Sequence, residues 1–258
     1  MGGEYQVIHY HGTPIGGGRV DAARFLAGRH AFISAAYPQD LPVAAEVCQS
    51  FALDNGAFTA WKAGGVIDVP AFVAWVEEWC LHPAFDWAII PDVIDGTSAD
   101  NDAEIESWIG TAVADYGVPV WHLHEPVERL SSLACTWDRV ALGSSGDFAT
   151  VGSLAWWARM GEAMRAVCDE QGRPTAKLHG LRMLDPAVFS RLPLASADST
   201  NAGRNCLASG RWGSYMPPTA AQRADVIASR IEAHQSAAVW TEGNKQSEFR
   251  LEVYDGAL

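Results

Sequence analysis

The sequence predicts an α/β fold, a TIM-type (β/α)8 barrel in a single domain spanning residues 1–258. Three observations predict it. Short apolar runs recur eight times, each closing on polar residues or glycine, and eight is the number of strands that closes a parallel barrel. Stretches with helical spacing lie between the runs. No Gly/Ser-rich or Pro-rich linker divides the 258 residues. With 48% hydrophobic residues and 11 tryptophans, the chain can bury a large core.

In chain order the strand candidates are QVIHYHG (6–12), HAFISAAY (30–37), SFALDNGAF (50–58), FDWAIIPDV (85–93), VPVWHLHEP (118–126), RVALGSSG (139–146), TAKLHGLRM (175–183) and LASADSTN (194–201). The first connection reads as short, and the stretch AAYPQDLPVAAEV after the second run reads as non-helical. Residues 69–82 place Phe72, Trp75, Val76 and Trp79 at i, i+3, i+4 and i+7, the apolar stripe of a crossover helix. Residues 154–170 read as another amphipathic helix. A closing helix is expected over about 218–240, carrying Val226, Ile227, Ile231 and Val239, followed by a polar tail. On the fifth strand, alternation turns Trp121 outward and sets His122 and His124 on the inward face.

Composition narrows the function classes. No apolar run approaches bilayer length, and MGGEYQVIHYHG lacks the basic-then-apolar pattern of a signal peptide. The five cysteines (Cys48, Cys80, Cys135, Cys168, Cys206) are odd in number and never spaced CxxC, which argues against a disulfide framework and a structural zinc site. A reducing cytoplasm is the expected location. A formal charge of -13 repels nucleic acid over the general surface, so such a partner needs a local basic patch.

Barrel enzymes gather reacting groups where strands end. The strand ends supply His9 and His11, Asp54 and Asn55, Asp92, His122 and His124, Gly143 and Ser144, His179 and Gly180, and Asp198. Asp54-Asn55-Gly56 is also a common turn signal, and Asp198-Ser-Thr-Asn is ordinary cap chemistry. Two carboxylates at two strand ends are more informative than either alone, because such a pair divides nucleophilic from acid/base duty in retaining glycosyl transfer.

DNGAF resembles the D-S-G-G/S-F motif of tRNA-guanine transglycosylases. HGL followed by ADST is similar to the archaeal branch, where a "HLFGAG" strand precedes "FDSAAY". VALGSSG resembles that family's glycine-containing strand end, and IIPDV the strand with its base-reading aspartate. The motifs keep their order across residues 51–201. The resemblance is nearest to the phage and bacterial deazapurine DNA modification (DpdA-like) group, which exchanges guanine for a 7-deazaguanine such as preQ0, because the CxCxxC-plus-His zinc module of the tRNA (queuine-type) enzymes is missing and only Cys206 lies in its place.

The resemblance implies Asp198 as the nucleophile and Asp54 as general acid/base, working without cofactor or metal. It implies base contacts from Asn55, Gly56, Phe58, Asp92, His124, Gly143, Ser144, His179 and Gly180. His124 stands where the family has a base-reading Gln, and His179 where an apolar residue usually packs. DNA is the expected partner ahead of tRNA, contacted by Lys177, Arg182, Arg204 and Arg211, with the target nucleotide flipped or unpaired. A rival reading is a metal-dependent amidohydrolase-type barrel using His9, His11, His124, His179 and Asp198, where imidazoles and a carboxylate would hold zinc.

Overall fold

The computed structural model describes residues 7–210 and 212–242. Nine strands, β1 (Ile8–Gly12), β2 (His30–Ser34), β3 (Ser50–Asp54), β4 (Phe85–Ile89), β5 (Gly117–Val118), β6 (Val120–His122), β7 (Arg139–Gly143), β8 (Lys177–Gly180) and β9 (Ser196–Ser199), form one sheet in the order β5-β4-β3-β2-β1-β9-β8-β7-β6. All pairings are parallel. The two edge strands are consecutive in the chain and separated only by Pro119, so the sheet curls into a nearly closed, TIM-like barrel.

Each expected run supplies a strand, but the fifth is split. Proline has no N–H to donate to a ladder. At this point the chain changes partners: Val118 accepts from Ile90 on one side, while Pro119 accepts from Ala141 on the other. β6 then stops at His122, where the chain turns and the Glu125 N–H bonds back to the His122 carbonyl.

Ten α-helices are described: α1 (Arg19–Leu26), α2 (Leu41–Val47), α3 (Ala57–Lys62), α4 (Val69–Trp79), α5 (Ser98–Ile109), α6 (Val127–Thr136), α7 (Leu154–Val167), α8 (Pro186–Phe189), α9 (Asn201–Asn205) and α10 (Ala220–Glu232). α4 starts at Asp68, whose carboxylate accepts from the Ala71 N–H, and buries Phe72 and Val76. α7 is capped by Ser153 and buries Trp156, Met160 and Met164. Two early expectations are corrected. The first connection contains α1, and AAYPQDLPVAAEV holds a 3-10 turn (Pro38–Asp40) running into α2, where Pro42 sits in the first turn and needs no donor.

The closing helix is also shorter than expected. α10 begins in a Thr219–Gln222 capping box and ends at Glu232. Beyond it the chain runs under the N-terminal ends of the strands, where Ala237 bonds to Leu192 and Trp240 to Gly172. Val239 therefore lies outside the helix, and residues 243–258, expected as a polar tail, lie outside the described residues.

Two apolar layers follow from strand alternation. Between sheet and helices lie Phe25, Ile33, Leu53, Trp121, Leu142, Trp156 and Leu178; inside the barrel lie Tyr10, Phe32, Ala52, Trp87, Ile89, Val118, Val120 and Ala141. Trp121 faces outward as expected, its indole N–H bonded to the Pro126 carbonyl. On β1 the inward residue is Tyr10, which sends both neighbouring histidines outward. His11 meets Glu232 of α10 at 2.7 Å and Phe25 of α1; His9 meets the His234 carbonyl at 3.0 Å and the Phe189 ring.

Glu232 ties this outer seam together, accepting from His11 and from Arg29 at 2.8 Å. Burial alone would raise its pKa, but these partners outweigh burial and hold the carboxyl at about 2. A depressed carboxyl contributes stability above its ordinary value and loses it as pH falls toward 2. Glu232→Gln is therefore expected to cost about 1–2 kcal/mol at neutral pH and to flatten the acid limb of a Tm-against-pH curve, read by thermal unfolding. Among the described residues no helix is long and apolar enough to cross a membrane.

Candidate active site

At the C-terminal ends of the strands a cavity of about 170 Å³ opens to solvent. That is smaller than the roughly 300–1,000 Å³ of typical ligand pockets, and it suits one ring system better than a whole nucleotide. Asp54 at the end of β3, Asp92 after β4, His122 at the end of β6, Gly143 and Ser144 after β7, Arg182 after β8 and Asp198 on β9 all line it. Asn55, Phe58 and Arg204 also line it, together with Gly12, Thr13, Ser34 and Tyr37, which the motifs did not indicate.

The carboxylates differ in setting. Burial pushes Asp54 up to about 7, opposed by hydrogen bonds from Ser34 and the Gly56 backbone and reinforced by the charges of Asp198 and Asp92. Asp198 has its Oδ1 fixed by the Arg182 backbone N–H at 2.8 Å. Asp92 is held from two sides, by Asn55 Nδ2 at 2.7 Å on Oδ1 and by His122 Nε2 at 2.9 Å on Oδ2.

Arg182 is a cation facing this acidic group. Among the described residues it is the non-glycine residue with positive φ (58°), a conformation that costs about 1–3 kcal/mol and persists only where surroundings impose it. That turn aims its backbone N–H at Asp198 and returns its guanidinium over the Phe58 ring, 3.9 Å from the centroid, with Nη2 donating to the Ser144 carbonyl at 2.9 Å. Burial lowers its pKa, while Asp198, Asp54 and Asp92 oppose that shift. A phosphate contact was expected of Arg182; the residue is exposed and lines the cavity wall.

Several expected residues are placed elsewhere. His124 lies past the end of β6 and does not line the cavity; it stacks on His122 with ring centroids 5.7 Å apart and bonds to Ser145 and the Gly96 carbonyl. His122 occupies the cavity wall in its stead. Asn55 lines the cavity but spends its amide on Ile90, Asp92 and the Ala57 N–H, which makes it a brace. Gly56 is the left-handed N-cap of α3, and Gly180 packs against Met183 and Leu194; neither lines the cavity. His179 lies fully buried beneath Asp198. Lys177 is at the N-terminal start of β8, the opposite end of the barrel from the cavity, and Arg211 lies outside the described residues.

The metallohydrolase set does not assemble. His9 and His11 point out of the barrel, and His124 lies beyond its rim. Among the described residues, no three or more His, Cys, Asp or Glu side chains are grouped so as to hold a metal ion.

A Cβ at Gly143 would stand 2.8 Å from His122 Nδ1. Gly143→Ala therefore has to displace His122 from Asp92 and is expected to cost about 1–3 kcal/mol, measured by denaturant unfolding, together with weaker ligand binding in the cavity.

Fold and site together define a class: a parallel α/β barrel whose strand ends present two unlike carboxylates, an Asp–His pair and an arginine on the wall of a cavity of single-ring-system size. No family model matches the chain, and a comparison with curated proteins gives no match.

Proposed function

We propose that this protein is a base-exchange transglycosylase that replaces guanine in nucleic acid, DNA ahead of tRNA, by a 7-deazaguanine. Counting β5 and β6 as one rung interrupted by Pro119 gives the (β/α)8 barrel of a single catalytic domain. The observation that carries the reading is that Asp54 and Asp198 line one cavity, with Asp54 held near pH 7 for proton transfer and Asp198 anchored through a single oxygen.

In this mechanism an oxygen of Asp198 attacks the anomeric carbon as the bond to guanine N9 breaks, and protonated Asp54 delivers its proton to the departing base. The product is a glycosyl ester on Asp198 and an ionised Asp54. The incoming deazaguanine gives its N9 proton to Asp54 while its nitrogen displaces Asp198, so configuration is retained over two inversions. Asp92, whose carboxylate accepts hydrogen bonds only, suits the N–H and amino donors of a guanine edge. Phe58 supplies an aromatic wall, and Arg204 stands at the rim for a phosphate. A flipped or unpaired nucleotide is required, since neither its base nor its anomeric carbon can reach the cavity from within a stack. The reaction is placed in the cytoplasm and needs no cofactor.

Incubation of the protein with single-stranded and duplex DNA, or tRNA, and labelled guanine or 7-deazaguanine tests the reading. Label in DNA is the expected result. Label in tRNA alone moves the substrate, and label in neither overturns the activity.

A further inference from the structure

Beneath the cavity a chain of polar side chains runs through the barrel interior and ends at Asp198; its lower members, Arg139, Ser196 and His179, have no part in the exchange steps given above. Its origin is register. On β9, Ser196 and Asp198 are two apart and face inward together, while on β8 His179 is the Cα partner of Ser196. On β7, Arg139 and Ala141 face inward, and Ala141, the partner of His179, leaves room for the imidazole. Arg139 Nη1 donates to Ser196 Oγ at 2.8 Å, Ser196 Oγ lies 2.9 Å from His179 Nδ1, and His179 Nε2 lies 3.4 Å from Asp198 Oδ1.

The direction of this chain follows from its first member. A guanidinium only donates. Its bond occupies one of the two lone pairs of Ser196, and the serine O–H, fully buried, has His179 Nδ1 as the acceptor beside it; it donates there, so the imidazole proton resides on Nε2, facing Asp198. The Phe32, Trp87 and Tyr10 rings surround His179, with centroids 5.3, 4.8 and 5.9 Å away. The charged and titratable groups facing it are Asp198 above and Arg139 and Tyr10 below. Burial in this cage lowers the His179 pKa, opposed by Asp198.

We infer that His179, held as the neutral Nε2–H tautomer by Ser196 and Arg139, is a positioning residue for Asp198. Its Nε2 makes no hydrogen bond in the resting geometry and stands 3.4 Å from Oδ1, the oxygen that accepts from the Arg182 backbone N–H, so both groups bear on Oδ1 and leave Oδ2 to the reacting carbon. This role in catalysis rests on the base-exchange reading, whereas the tautomer does not.

Two measurements separate them. In protein carrying 15N-labelled histidine, the His179 ring shifts are expected to report a neutral imidazole protonated at Nε2 from about pH 7 to about pH 9, and Arg139→Met to shift the ring toward a mixture of tautomers. A proton on Nδ1, or a ring that titrates in that range, overturns the inference whether or not the protein exchanges bases. In the exchange assay His179→Leu is expected to lower kcat about 10²-fold, the scale of an ångström-sized misplacement, with KM for the incoming base unchanged. His179→Gln, which retains a donor, is expected to recover most of that loss. Wild-type kcat in His179→Leu, or a loss confined to KM, overturns the positioning role. If the wild-type protein exchanges no base, the base-exchange reading fails by itself and the ring shifts still decide the tautomer.

Discussion

Asp198→Asn is expected to lower base exchange on the order of 10⁴-fold or more, the scale seen when a covalent nucleophile is removed, with the fold intact. The side-chain carbonyl of asparagine can still accept from the Arg182 N–H, the donor bonded to Oδ1, so the cavity keeps its shape. What is lost is the charge and the nucleophilic oxygen. Steady-state exchange of labelled guanine measures the rate, and a thermal melt separates chemistry from folding. A variant that keeps a tenth of the activity would remove Asp198 from the nucleophile's role.

Asp54→Asn is expected to do two opposite things. Exchange falls by about 10²- to 10⁴-fold, the usual contribution of a positioned acid/base, and the pH profile loses the limb near 7 that wild-type protein shows as Asp54 gives up the proton needed by departing guanine. Stability at pH 8 rises. The folded pKa of about 7 stands above the ordinary 3.8, so between these values the folded chain keeps a proton the unfolded chain has released. Stability from this group is full below about pH 4 and falls as pH rises to 7, beyond which an ionised carboxylate remains near Asp198 and Asp92. Asparagine removes that charge, a gain on the order of 2–4 kcal/mol at pH 8 that vanishes near pH 4. Denaturant unfolding at the two pH values measures it.

How much of this was legible depended on whether the deciding contact was local. The apolar runs and their polar ends showed the strands, because alternation and turn chemistry act within a few residues. The same rule brought Asp54, Asp92, Gly143, Ser144 and Asp198 to one end of the barrel. It failed on β1, where IHYHG can be read with either face inward. Tyr10 fills the barrel because His11 finds Glu232 on α10, 221 residues away, a partner no local pattern announces.

His124 was misplaced because alternation was extended past β6, which the turn at Leu123 and His124 ends. Arg182 reads as an ordinary exposed cation, and it is exposed; what the sequence hides is the left-handed backbone whose N–H meets Asp198 and the guanidinium contact with the Ser144 carbonyl at the cavity wall. His179 was visible as a strand-end histidine, but its burial beneath Asp198 follows from the register of β8 on β9.

The covalent bond to Asp198 is the claim on which the mechanism stands. Intact-protein mass spectrometry after acid quenching of the protein with a guanine-containing single-stranded oligonucleotide tests it directly. The expected result is an added mass equal to the oligonucleotide less guanine, mapped to the peptide containing residues 194–201 and missing from Asp198→Asn. Exchange that proceeds with the adduct on another residue, or with the same adduct formed by Asp198→Asn, would contradict it.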